Sequence, residues 1–338
     1  LTAASGQLDS NGVTLGSALQ LNGGSIRDTA GNDTVVTLNA VASTAHVNVD
    51  GVVPTVTSVT TPLDGSYKAG DVLTFTVNAS EALQIGGVPP RLVLDVGGVT
   101  RYATYVSGSG GAALVFQYTV QAGENDANGI AVNSLDLRGE QLTDLAGNDL
   151  NLTLNGMGST AGVVIDTTAP SAGNIVRVDA NPSNSGSVSF TVTFSEDVSG
   201  VDASDFSLLF GGSAAGSISS FTAVDGHTYT VVVGGLTGTG SLRLDLNNSG
   251  TGIVDSAGNA ISGGLIGAAY SIDRVEPSVT SVDVPTHGTY LAGQNLDFTV
   301  HLDEAVYLNT AGGTPCIEVT LDNGTTAYAS YLSGSGSN

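Results

Sequence analysis

GSYKAGDVLTFTVNASE, residues 65–81, alternates apolar and polar residues once past its glycine turn: Leu73, Phe75 and Val77 are interleaved with Thr74, Thr76 and Asn78. A period of two puts successive side chains on opposite faces of a strand, so this stretch reads as a half-buried β-strand with one face in a core. Lys68-Ala-Gly-Asp71 before it carries the turn residues, and the strand closes on an acid, Glu81. The same design returns as GTYLAGQNLDFTVHLDE at 288–304, ending at Glu304, and in shorter form as SFTVTFSE, ending at Glu196.

A period of this kind is the mark of a tandem array. Asp-x-Ala-Gly-Asn occurs three times, at 28–32, 144–148 and 255–259. About twenty residues after each copy comes Asp-x-x-x-Pro, at 50–54, 166–170 and 273–277, which marks the module boundaries. RYATYVSGSG at 101–110 also returns, as AYASYLSGSG at 327–336, whereas the stretch between 170 and 273 lacks these blocks. Two module types follow, A and B. Residues 1–50 read as the C-terminal half of an A module, 54–166 as a complete A, 170–273 as a complete B, and 277–338 as the N-terminal half of an A. The chain is expected to be a piece of a longer protein.

In the complete A module, alternation places strands near 55–60, 71–79, 91–95, 99–106, 113–120, 130–137 and 150–165, with Gly, Asn, Asp and Pro between them. Helical periodicity is absent. About seven short strands in a module of this size describe an all-β, immunoglobulin-like sandwich, repeated in tandem and joined by short linkers. The core tryptophan and the disulfide of antibody domains are missing: the chain has no Trp and one cysteine, Cys316, which reads as a small buried hydrophobe.

Charge narrows the function. Thirty-one acids against eight bases leave a formal charge of -23, which disfavours nucleic acid and anionic membranes as partners. No run of 18 apolar residues is present and Leu1 opens no basic leader, so membrane insertion is not expected and any export signal lies elsewhere. Strand parity then gathers acids. If strands alternate in direction, the loops after the second and sixth share the pole at which the linker enters. Asp50, Glu81 and Asp144 converge at one junction, and Asp166, Glu196 and Asp255 at the next. Clustered carboxylates raise one another's pKa or require a cation, and calcium (Ca2+) takes six to eight such oxygens. Asn148 and Asn259 would add oxygens, or serve only the turn. Asp273 and Glu304 form an incomplete third site, expected to be weaker. Turn chemistry alone, and a merely solvated acidic surface, are the competing readings.

The AGDxLxFTVxxSE block, the Asp-x-Ala-Gly-Asn turn, the IDTTAP linker at 165–170 and SEDVSGVDASDFSL at 195–208 together resemble the bacterial Ig-like repeats of very large surface adhesins. The resemblance covers essentially the whole chain. It implies a secreted or cell-surface protein, exported by type I secretion, whose repeats form an extension arm stiffened by calcium at the linkers. It carries calcium roles onto Asp50, Glu81, Asp144, Asp166, Glu196 and Asp255, with adjacent Ig-like modules as partners. The glycine-rich nonapeptide calcium repeat of the family's export signal is not found.

No enzyme is expected. His46, His227, His287 and His301 are scattered without metal spacing or a triad partner, and SGSGGA at 107–112 lacks the lysine and helix of a phosphate loop, reading as a hairpin turn. The alternatives are a lectin-like module, for which Phe206, Phe210, Phe221, Tyr229 and Tyr270 are the aromatic candidates, and a non-catalytic spacer of a secreted hydrolase. Most of those aromatics fall at alternating, core-like positions.

Overall fold

The computed structural model describes residues 1–337; Asn338, the last residue of the expected terminal half module, lies outside them. The chain divides into two compact units. The first holds Leu1–Ala172, Phe194–Val201 and Thr251–Gly263, and the second Gly173–Thr193, Asp202–Gly250 and the remainder from Gly264.

In the first unit, β1 (Leu8–Asp9) and β2 (Val49–Asp50) make a two-stranded ladder ahead of the first sandwich. That sandwich contains β3 (Val56–Thr60), β4 (Gly65–Tyr67), β5 (Val72–Ile85), β6 (Arg91–Val96), β7 (Val99–Ser107), β8 (Gly111–Thr119), β9 (Asn125–Asp126), β10 (Ala131–Asp136), β11 (Leu142–Asp144) and β12 (Val163–Asp166). One sheet runs β10-β6-β7-β8-β5, with β3 and β11 both paired to β5; the other runs β4-β12-β9. Alternation does the sorting expected of it. Leu73, Phe75 and Val77 of β5, Leu114 and Phe116 of β8, Leu92 and Leu94 of β6, and Val163 of β12 are fully buried in one cluster. At about 25 cal/mol per Å2, this interior is the dominant stabilising contribution.

The alternating stretch expected as a single strand over 150–165 is different. Only Val163–Asp166 is a strand. Residues 151–157 run beside β3 through isolated parallel bridges, Thr55 with Asn151 and Val59 with Met157. Gly156 explains the interruption. It has φ +56°, and a Cβ there would lie 2.5 Å from the Thr57 carbonyl oxygen, so the chain turns where only glycine fits.

In the second sandwich, β13 (Ala172–Arg177), β14 (Ser187–Phe194), β15 (Phe206–Gly212), β16 (Ala215–Ala223), β17 (Thr228–Thr237), β18 (Thr239–Leu246) and β19 (Leu265–Asp273) form sheets β13-β14-β17-β16 and β15-β18-β19. Within the second unit, Tyr270 of β19 packs edge-on against Phe190 of β14, centroids 5.2 Å apart. Its hydroxyl donates to the Ser189 carbonyl at 2.8 Å and accepts from the Val178 and Asp179 amides at 3.0 and 2.8 Å. Phe206, Tyr229 and Tyr270 are buried and only Phe210 reaches the exposed class, so these aromatics form no exposed platform.

The final stretch folds as two hairpins, β20 (Val279–Asp283) with β21 (Thr299–Leu302) and β22 (Cys316–Thr320) with β23 (Thr326–Ser330). Cys316, read from sequence as a buried hydrophobe, is exposed. It begins β22, a strand whose alternation buries no residue fully and whose sheet, among the described residues, has only β22 and β23.

Candidate metal centre

The Asp-x-Ala-Gly-Asn turn is local structure, built the same way each time. Asp144 Oδ1 accepts from the backbone amides of Ala146, Gly147 and Asn148 at 2.7–2.8 Å, and Oδ2 from Asn148 Nδ2 at 2.8 Å. Asp255 does the same with Ala257 and Asn259, and Asp28 with Ala30 and Asn32. The Asp28 turn is exposed and belongs to no cluster, so the turn needs no neighbour to form.

Two further features bring other acids to it. At the first junction, β5 changes partners. Its early half pairs with β3, ending at Val56 opposite Ala79, and its last residues pair with β11, where Asp144 lies opposite Leu83. Against β8 the register jumps from Asn78 opposite Ala113 to Leu83 opposite Gly111, a multi-residue bulge that carries Glu81. Glu81 therefore sits inside a bent strand, not after one, and Asp144 ends a short strand. The linker arrives at the same place: Ser80 N donates to the Thr55 carbonyl and Thr55 N to Ser80 Oγ. Asn148 Nδ2 also donates to the Asp50 carbonyl at 3.1 Å.

The second junction repeats the plan within the same unit. Ser195 and Ser171 make the corresponding pair of bonds, Ser199 bridges Val254, and Asn259 Nδ2 donates to the Asp166 carbonyl at 2.9 Å. The result is two acidic trios. Asp50, Glu81 and Asp144 each offer a carboxylate oxygen within 4.8 Å of the others, and so do Asp166, Glu196 and Asp255. In each trio the turn aspartate is buried and the other two acids half-buried.

Electrostatics separates the members. Burial, with Asp144 and Asp50 beside it, pushes the Glu81 carboxyl above its ordinary pKa. Burial with Asp166 and Asp255 does the same to Glu196. Asp144 is lowered: burial, the largest single influence, acts upward, but the Asn148 side chain and the turn amides together outweigh it. Elsewhere three acids in partly buried sites have an arginine. Glu124 pairs with Arg101 and accepts from the Tyr118 hydroxyl, Asp136 pairs with Arg91 at 2.8 Å, and Asp245 with Arg243 at 2.8 Å. Neither trio has a cation of its own among the described ion pairs, and no protein donor bonds to Glu81 or Glu196 among the described residues.

The donor set is all oxygen, with no thiolate or imidazole, which suits a hard divalent cation of the calcium class. Asp50, Glu81 and Asp144, and Asp166, Glu196 and Asp255, are the residues that would hold it. The Asn148 and Asn259 amide nitrogens face the aspartates, so these residues orient the turn carboxylate and tie it to the linker backbone. Asp273 and Glu304 do meet at the third position. Burial, then Asp273 and Asp303, raise the Glu304 carboxyl. No third acid completes a trio there among the described residues. His301 bonds Asp283 at 2.9 Å on a hairpin, away from any such cluster.

Residues 166–272 match the family model of the bacterial Ig-like domain. No curated protein matches the chain significantly. Among solved structures, the Escherichia coli adhesin FdeC aligns over 83% of this chain and 88% of its own at 15% identity, with a TM-score of 0.34. A marsupial T cell receptor aligns over 65% and 96% at 12% identity, with a TM-score of 0.21. Overlays this loose bear on nothing beyond the comparison, so the fold rests on the strand pairing and on the family match. The stretch 166–272 is thus similar to a bacterial Ig-like domain, in a chain whose described elements are nearly all β-strands.

Proposed function

We propose that the chain is a structural spacer of a bacterial surface adhesin, a run of Ig-like modules outside the cell whose junctions are stiffened by calcium. The modules are those delimited at 50–54, 166–170 and 273–277, and each is the other's partner. The observation that carries this reading is the recurrence of one acidic trio at two successive junctions, each time joining the linker aspartate to a strand glutamate and a turn aspartate. Bacterial Ig-like families are generally non-enzymatic, which suits a spacer.

Bound calcium would supply the positive charge that three converging carboxylates lack. The protein's part is to hold the oxygens. The turn amides hold the Asp144 and Asp255 carboxylates in place and lower the Asp144 pKa, the bent segment after Ala79 presents Glu81, and the linker contributes Asp50 or Asp166. Tying the linker to the module restrains a segment of about four residues that would otherwise swivel. With an affinity of about 10⁻⁴ to 10⁻³ M, typical of extracellular modules, millimolar calcium would add about 1 kcal/mol per site. The burial of Phe206, Tyr229 and Tyr270 speaks against the lectin-like alternative.

Calcium titration of the full chain tests the reading. Melting temperature is expected to rise and small-angle scattering to narrow toward one extended form, and Asp166→Ala is expected to lose its share of both. A melting temperature and scattering profile that ignore calcium would refute it.

A further inference from the structure

Lys68 is the only lysine of the chain, and it stands at a junction. It follows β4 directly. β4 runs parallel to β12 with Tyr67 opposite Ile165, so Lys68 comes next to the level of the linker residue Asp166. Its backbone is fixed from both sides. Lys68 N donates to Asp71 Oδ2 at 2.9 Å, Asp71 N returns to the Lys68 carbonyl at 3.1 Å, and the Asp71 carbonyl and Gly70 amide bond Val120 of the adjoining strand end. From this tight turn the half-buried side chain reaches 190 positions along the sequence, where Nζ donates to the Gly258 carbonyl at 2.8 Å. Both groups belong to the first compact unit.

Gly258 is the glycine of the Asp255–Asn259 turn. Its neighbour Asn259 already grips the Asp166 carbonyl. Two successive residues of one turn thus hold the first sandwich at two points, one through a side-chain amide and one through a backbone carbonyl. The linker between them is pinned as well: Thr167 N and Thr168 Oγ1 donate to Asn125 Oδ1, at 2.9 and 3.3 Å, and Gly123 N donates to Thr167 Oγ1 at 2.9 Å.

We propose that Lys68 is a latch that makes this end of the first sandwich a docking site for the Asp-x-Ala-Gly-Asn turn of the following module, holding that turn in place without any metal. The partner is specified by its chemistry, a turn whose glycine carbonyl points outward beside an asparagine bonded to the linker. An ammonium is a strong donor, and a carbonyl at the end of a tight turn is a free acceptor for it. The turn also favours glycine here: φ is +84°, and a Cβ at Gly258 would lie 3.2 Å from Nζ, so the amine would have to shift to make room. The latch is selective by module. The repeat at 288–304 has Leu291 at the matching place, and there Gln294 Oε1 accepts from Leu291 N at 2.7 Å, so the supporting turn survives while the amine is gone.

A single lysine makes the latch directly measurable. The full chain, kept in chelator so that calcium plays no part, is acylated with N-hydroxysuccinimidyl acetate in native buffer and again after unfolding in urea. Peptide mass spectrometry separates Lys68 from the α-amine of Leu1. Native Lys68 is expected to react about fivefold more slowly than in urea, the protection that one charge-assisted hydrogen bond provides. Lys68→Met, which keeps the stem and removes the donor, is expected to speed amide exchange about fivefold in the 255–259 turn while β5 and β8 exchange as before, and Lys68→Arg to restore it. Unchanged exchange in Lys68→Met, or acylation of native Lys68 as fast as in urea, would overturn the latch. Either result stands apart from the calcium reading, since no free calcium is present.

Discussion

Glu81 and Asp144 sit in the same trio and answer to burial in opposite directions, because only one of them is surrounded by donors. The Glu81 pKa is raised, by burial first and then by its acidic neighbours, so the folded state prefers it protonated. Without metal, its ionisation costs nothing below the ordinary glutamate range and weakens the fold increasingly as pH rises through the raised value. Asp144 is lowered, so its contribution is present above the ordinary aspartate range and is lost as pH falls through its folded value. Stability of the metal-free protein should therefore peak in mildly acidic solution. Glu81→Gln removes the upper branch. In chelator at pH 7 it should be more stable than the parent, by about half a kcal/mol for a half-buried group screened by solvent, and the difference should vanish below pH 4. Millimolar calcium should invert the order. Melting curves across pH with and without chelator check this, and a variant less stable than the parent in chelator at pH 7 would refute the assignment. All six trio acids were legible from spacing and strand parity alone. The orientation of Asn148 was not, because an amide at a turn presents donor and acceptor alike and only the partners decide between them.

At the level of elements, the turn and the bent strand share the work. The turn depends on Gly147, whose φ of +100° disfavours any side chain although the space around it is open. Gly147→Ala should cost about 1–2 kcal/mol of stability in urea melts and weaken calcium binding, because the amides that hold Asp144 would no longer converge. A variant that melts like the parent would show that the turn tolerates another conformation. The sequence makes strands such as β5, β6 and β8 plain, since each alternates over six residues or more. β4, β9 and β11 are two or three residues long and too short for any period to register, yet they carry function: β4 leads into Lys68 and β11 ends in Asp144. The bulge in β5 is hidden for a related reason. Alternation runs through Ala79 and resumes at Leu83, so nothing in the pattern itself marks Glu81 as the residue of a register jump.

Across the whole molecule, the same sequence pattern meets two different environments, and the comparison isolates what packing adds to periodicity. Val56 and Val77 are 1% and 0% exposed in the first sandwich; Val279 and Val300, their counterparts in the repeat after 277, are 59% and 36% exposed. Val163 is 0% exposed, while Val47, matched to it through the Asp-x-x-x-Pro boundary, is 52% exposed. Identical alternation thus sets strand direction and register locally, whereas burial needs the second sheet that 54–166 assembles and that neither 1–50 nor 277–337 brings by itself. Backbone hydrogen bonds in such thinly covered ladders open without unfolding the rest. Hydrogen exchange should accordingly be at least about a hundredfold faster in β20 to β23 and around β2 than in β5, β8, β14 and β17 of the covered sandwiches. Calcium should slow exchange near Glu81 and Glu196 more than near Glu304, whose cluster lacks a third acid among the described residues. Protection at β21 equal to that at β5 would mean that the terminal stretches cover their apolar residues in solution, and that alternation alone had recruited the missing layer.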